Sequence, residues 1–158
     1  MIDSKELNRL NKKLNKMGKE LAQAAVEVPD EITRELAIGA NDIRTTILKS
    51  MQSTDRAPWF YWRGKKPGRK KHYPSAPGAA PAIDSGDLLK SIMFDVRDME
   101  VEVGSIITDP PYPTYLEDGT KKMKARPWLG PAVDKHEKTI IDKVGDGVFE
   151  TIKRGVES

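Results

Sequence analysis

The 158-residue chain suits one domain, whose single core buries roughly 68–70% of the unfolded chain's surface, so folding needs neither disulfides nor a structural metal. A hydrophobic fraction of 37% against 32% charged residues predicts a solvated surface and a polar segment, and the lack of cysteine excludes a disulfide scaffold, thiolate zinc sites and thiol nucleophiles while fitting a reducing compartment. The net charge of +3 is uneven, with seven basic and no acidic residues between Arg56 and Ile83 and 20 basic against 24 acidic residues elsewhere.

The polar start Met1-Ile2-Asp3-Ser4-Lys5 lacks a signal-peptide apolar region, and no apolar run approaches the roughly 18 residues of a membrane span. Asp3 or Ser4 is placed to cap a helix, with Glu6 completing a capping box. Leu7, Leu10, Leu14, Met17, Leu21, Ala24 and Val28 follow at alternating spacings of three and four on one narrow stripe. That stripe predicts a helix lying on its own domain or on a neighbouring subunit. Val28-Pro29-Asp30 is expected to interrupt or kink it, since proline lacks a donor and disfavours helix in the preceding residue. A second helix is predicted through Ile32, Leu36, Gly39, Ala40, Ile43, Ile47 and Met51 to about Gln52, in which Gly39-Ala40 is either a close-approach point or a weak one.

Residues 53–83 show no sustained period and hold Pro58, Pro67, Pro74, Pro77 and Pro81, which predicts a loop of a length that is usually functional or ordered only on binding. Ser75 to Ala82 reads as an extended linker. Asp84-Ser85-Gly86-Asp87 supplies capping residues for a short helix or turn. Alternation then predicts a hairpin with Ile92, Phe94 and Val96 facing Val101 and Val103 across a turn at Asp98-Met99. The prolines of Asp109-Pro110-Pro111-Tyr112-Pro113 force the chain to turn. From about Pro131, Val133, Ile140, Ile141, Val144, Val148, Ile152 and Val156 support a C-terminal helix, which Gly145-Asp146-Gly147 is expected to weaken or break.

Little here supports catalysis. His72 and His136 have no metal-ligand spacing around them and read as solvated side chains. Gly64 to Lys70 is rich in glycine and lysine but lacks the Gly-Lys-Ser/Thr ending of a phosphate-binding loop. Acidic pairs such as Glu100/Glu102 and Asp84/Asp87 fall on expected surface faces. No catalytic residue, cofactor or metal is therefore assigned. The loop combines Arg56, Arg63, Lys65, Lys66, Arg69, Lys70 and Lys71 with Trp59, Phe60, Tyr61, Trp62 and Tyr73. Cations neutralise phosphates and aromatic faces stack on bases, while Trp, Tyr and Arg also dominate protein interfaces. Contact with DNA and protein docking both remain open for it.

Two stretches, Pro111-Tyr112-Pro113-Thr114-Tyr115-Leu116-Glu117-Asp118-Gly119-Thr120 and Lys122-Met123-Lys124-Ala125-Arg126-Pro127-Trp128-Leu129-Gly130-Pro131-Ala132, carry a resemblance. With Ala76-Pro77-Gly78 and Asp84 to Ile92 upstream, in the same order and spacing, they resemble the signature of the neck or tail-completion proteins of long-tailed bacteriophages. Pro113 stands for a usual alanine, Asp118 for an aromatic and Trp128 for a phenylalanine, and the insertion from Trp59 to Lys71 is not part of the signature. From the residues themselves, Gly119 supplies a positive-φ turn, Pro127 and Pro131 fix the approach to a helix, and Trp128 and Leu129 anchor the corner. Glu117 and Arg126 are left to pair within the subunit or across a boundary.

The expected architecture is α+β in one domain over 1–158. It has a helical region over 1–52, an extended basic loop over 53–83, a sheet and corner over 84–130, and a C-terminal helix over 131–158. The resemblance implies a non-enzymatic structural virion protein that joins or completes the tail at the head, made in the host cytoplasm. It implies a homo-oligomeric ring, sixfold by preference to match the tail, whereas a twelvefold ring would match the portal side. Its partners would be other neck proteins, the tail tube and genomic DNA in the channel, with no membrane. Tyr112, Tyr115, Glu117, Gly119, Thr120, Arg126, Pro127, Trp128 and Leu129 form the expected subunit interface. The alternative is a nucleic-acid-binding accessory protein that uses the basic loop.

Overall fold

The computed structural model describes the backbone of residues 4–64, 67–68 and 70–157, and side chains from Lys12 onward. The capping group around Asp3, the side chains of Leu7 and Leu10, and Lys65, Lys66 and Arg69 lie outside the described residues. Among the described residues the architecture is α+β, with four helices and two antiparallel two-stranded sheets.

Helix α1 runs unbroken from Ser4 to Gln52, 49 residues, or about 73 Å at 1.5 Å per residue. The expected division at Pro29 is thus corrected to one helix. Pro29 removes one backbone bond, but the helix packed alongside grips α1 on both sides of it: Gly155 lies over Ala24 and Gly147 over Glu31. Thr33 also donates its hydroxyl to the Pro29 carbonyl at 2.8 Å. That neighbouring helix, α4 (Gly130–Glu157), is antiparallel to α1 and likewise continuous through Gly145-Asp146-Gly147. Glycine earns its place in the contact: a Cβ on Gly39 would stand 2.5 Å from Ile140 Cγ1, and one on Gly155 2.8 Å from Ala24 Cβ. Close approach is therefore the role of Gly39. His136 is not solvated, as expected from sequence, but hydrogen-bonded to Thr46 Oγ1 at 2.7 Å across the same contact.

The hairpin of β3 (Ile92–Arg97) and β4 (Glu100–Ser105) has the expected register, with Phe94 opposite Val103 and Val96 opposite Val101. Asp98 and Met99 form its turn with φ of 51° and 62°, the left-handed pair that a tight two-residue turn requires. Its inner face packs on α1, where Arg44 Nε donates to the Ile92 carbonyl at 2.9 Å. Short helix α2 (Asp87–Ser91) leads into β3, and helix α3 (Tyr112–Asp118) follows the proline turn. Ile43, Ile47 and Met51 of α1 meet Ile92, Trp128 and Ala132 in the core, with Leu116, Leu129 and Ile140 packed around them. The core thus sits at the C-terminal end of α1.

The stretch over 53–83 departs from the expected loop. Strands β1 (Tyr61–Arg63) and β2 (Lys70–His72) pair antiparallel, with Tyr61 opposite His72. Its base is tied to the domain: Ala57 N donates to Pro74 O and Ala76 N to Asp55 O, both at 2.8 Å, and Gly78 N donates to Ala125 O at 3.0 Å. Ala57, Ser75 and Pro81 are buried, so the segment from Ser75 to Ala82 is packed chain and not a linker. Side-chain contacts explain a hairpin that lacks strand alternation. Phe60 meets Trp62 edge-on at 5.7 Å, and Lys71 Nζ lies 4.3 Å from the Phe60 ring centroid.

Candidate partner interface

The corner between α3 and α4 is held from within the chain. The Glu117 carboxylate accepts three backbone N–H groups at the start of α4, from Trp128 at 2.7 Å, Leu129 at 2.9 Å and Gly130 at 2.8 Å. An anion set on unpaired donors at a helix N-terminus is favourable both as a hydrogen-bond acceptor and against the helix dipole. Arg126 makes no ion pair with Glu117; its Nε donates to the Ser75 carbonyl at 3.3 Å and its backbone N–H to Leu116 O at 2.6 Å. The expected Glu117–Arg126 pair within the subunit is therefore replaced by two separate contacts. Trp128 is buried and donates Nε1–H to Pro113 O at 3.0 Å. Leu129 packs against the core, and half-buried Pro127 precedes them. Thr120 accepts from Met123 N at 3.1 Å and closes the turn after Gly119. Of the expected interface residues, Tyr115 and Thr120 are exposed, Tyr115 at 47%.

Several cations of the hairpin are occupied. Arg63 Nε and His72 Nδ1 each lie 3.2 Å from Asp84 Oδ1, so His72 is paired and not simply solvated. Arg56 donates to the Tyr73 carbonyl at 2.9 Å, and Lys71 stands over Phe60 and Trp62. The structure does not bring the basic loop and the corner together as one charged surface. It joins them by a cavity of about 450 Å³ between Trp59 and Tyr61 of the hairpin, Asp84 to Leu89, and Tyr112, Leu116, Met123 and Arg126 of the corner. Burial raises the Tyr112 phenol above its usual range; partial burial, then nearby Asp84, raises Tyr61, which donates to Asp84 at 3.3 Å. Both phenols stay protonated donors at neutral pH. Ser75 Oγ, buried at the cavity wall, has no partner among the described residues.

A further surface was only half legible in the sequence. On α1, Leu14 is 55% exposed with Met17 open beside it, because Gly155, near the end of α4, lies over Glu20 and Ala24 and α4 does not reach residues 12–17, while Leu21 is open on the flank of that contact. On α4, Ile140 packs on the core while its neighbour Ile141 is 63% exposed, in line with Phe149, Ile152 and Val156. The apolar positions of α4 span too wide an arc for one buried face, which was the available signal. Phe149 was missed altogether.

Chemically, these surfaces offer apolar area, ring faces and charge. Among the described residues no group of His, Asp or Glu is arranged to hold a metal ion, and no helix is long and apolar enough to cross a membrane. Comparison of the chain with protein-family profiles, with curated proteins and with solved structures finds no match.

Proposed function

We propose that the chain is a structural virion protein of a phage neck, assembling as a ring that completes the tail and joins it to the head. The observation that carries this reading is the uncovered apolar surface on both long helices, Leu14, Met17 and Leu21 on α1 and Ile141, Phe149, Ile152 and Val156 on α4. Apolar side chains left open in line along a helix fit an interaction site. The neck assignment draws on the resemblance of Pro111 to Thr120 and Lys122 to Ala132, which here form a stiff corner presenting Tyr115 outward. Other neck proteins and the tail tube would bind the ring, and DNA would pass through it.

A second reading, a nucleic-acid-binding accessory protein, draws on the open rings of Trp59, Phe60 and Tyr61. It is weakened by the internal engagement of Arg56, Arg63 and Lys71. Light scattering and particle imaging separate the two. A ring, sixfold by preference, is expected without DNA, alone or on its neck partners. A chain that stays monomeric at high concentration with and without those partners, and binds DNA in a salt-sensitive way, would reverse the order.

A further inference from the structure

We propose that the amino-terminal part of α1 in one copy lies on the exposed stripe of α4 in a second copy. The two stripes match in length and period. Leu7 to Leu21 on α1 and Ile141 to Val156 on α4 span about 21 Å and about 22.5 Å at 1.5 Å per residue. Leu14, Met17 and Leu21, and Phe149, Ile152 and Val156, keep the alternating three-and-four spacing that lets one helix interlock with another.

Within one chain Leu14 and Met17 of the α1 stripe stay exposed. The two helices already face each other through other residues, Ala24 against Gly155 and Gly39 against Ile140, and residues 12–17 run past the end of α4. Charge selects the partner. From Lys12 to Lys19 the helix carries four lysines and no carboxylate, so two copies of this segment laid together would set like charges side by side. Beside its stripe α4 exposes Asp142 and Asp146 against Lys153, while Glu150 lies further round the helix with Lys143 and Arg154. A lysine-rich α1 segment on α4 is thus the complementary pairing, with charge guiding encounter and the apolar stripes holding the contact. The donor and acceptor surfaces differ, so the contact is heterologous and repeats from copy to copy, which closes a ring where the rotation permits. For that closure the inference rests on the ring reading above.

The absence of cysteine makes the test direct. Full-length chains carrying Met17→Cys and Ile152→Cys, mixed under mild oxidation, are expected to give a disulfide-linked pair at least five-fold in excess of either variant alone, on the order of a 1 kcal/mol preference. Both positions are exposed, so the fold should tolerate them. Lys12, Lys13 and Lys19 changed to Glu on the first chain should lower the yield, and Asp142 and Asp146 changed to Lys on the second should restore it. Equal crosslinking of Met17→Cys with itself, or no crosslink in the mixture, overturns the proposal. A chain that crosslinks as expected but is absent from virions keeps this contact and loses the neck reading.

Discussion

Replacing Gly119 with alanine is expected to lower the melting temperature by roughly 10 °C. Gly119 follows α3 with φ 78° and ψ −176°, a conformation open essentially to glycine alone. A Cβ there would stand 2.7 Å from Ala125 N and 2.9 Å from Met123 O, which are backbone atoms held by the Thr120–Met123 and Arg126–Leu116 bonds. Strain of about 1–3 kcal/mol and crowding of about 1–3 kcal/mol add to about 2–6 kcal/mol, at about 2–4 °C per kcal/mol for a domain of this size. Gly18→Ala is the control, because nothing lies within 4 Å of its Cβ position and alanine favours helix. It should leave the melting temperature unchanged or slightly higher. A Gly119→Ala protein that melts with the wild type would contradict this account of the corner.

Glu117→Ala is expected to cost about 3 kcal/mol in denaturant unfolding. It strips the acceptor from the N–H groups of Trp128, Leu129 and Gly130, where bonds to a charged group are each worth about 1.5–3 kcal/mol and entering water recovers part of the loss. Glu117→Gln should cost about half as much, since one oxygen can still accept from Trp128 and Leu129 while the amide presents a donor to Gly130 N–H. Arg126→Ala should cost about 1 kcal/mol through its bond to the Ser75 carbonyl. Because the two side chains have no shared partner, the double variant should equal the sum within about 0.5 kcal/mol. A coupling of 2 kcal/mol or more would restore the ion pair that their charges suggest in the sequence.

The parts legible in the sequence are those where a local rule and the tertiary fold agree. Phe94, Val96, Val101 and Val103 alternate because one face of the hairpin packs on α1, and Asp98-Met99 marks the turn. Trp128 and Leu129 were readable as anchors because large apolar groups beside Pro127 have few other uses. Where a distant element decides, the local rule failed. Pro29 and Gly145-Asp146-Gly147 look like breaks, but each helix splints the other and the glycine at 147 gives Glu31 room. Pro111 and Pro113 read as turn residues, yet proline is well placed at the first positions of a helix, and α3 starts there. The β1–β2 hairpin shows no alternation because its strands are exposed and held by ring contacts such as Tyr61 on His72. Of the candidate site, the residue types were legible and their partners were not: Glu117 invited a cation and found three backbone donors.

Electron microscopy of purified virions in which this chain carries a gold or density label tests the neck assignment most directly. Label confined to the junction of head and tail, arranged as a single ring, is the predicted result. Virions that carry no label, or carry it over the head surface or along the tail, would contradict it.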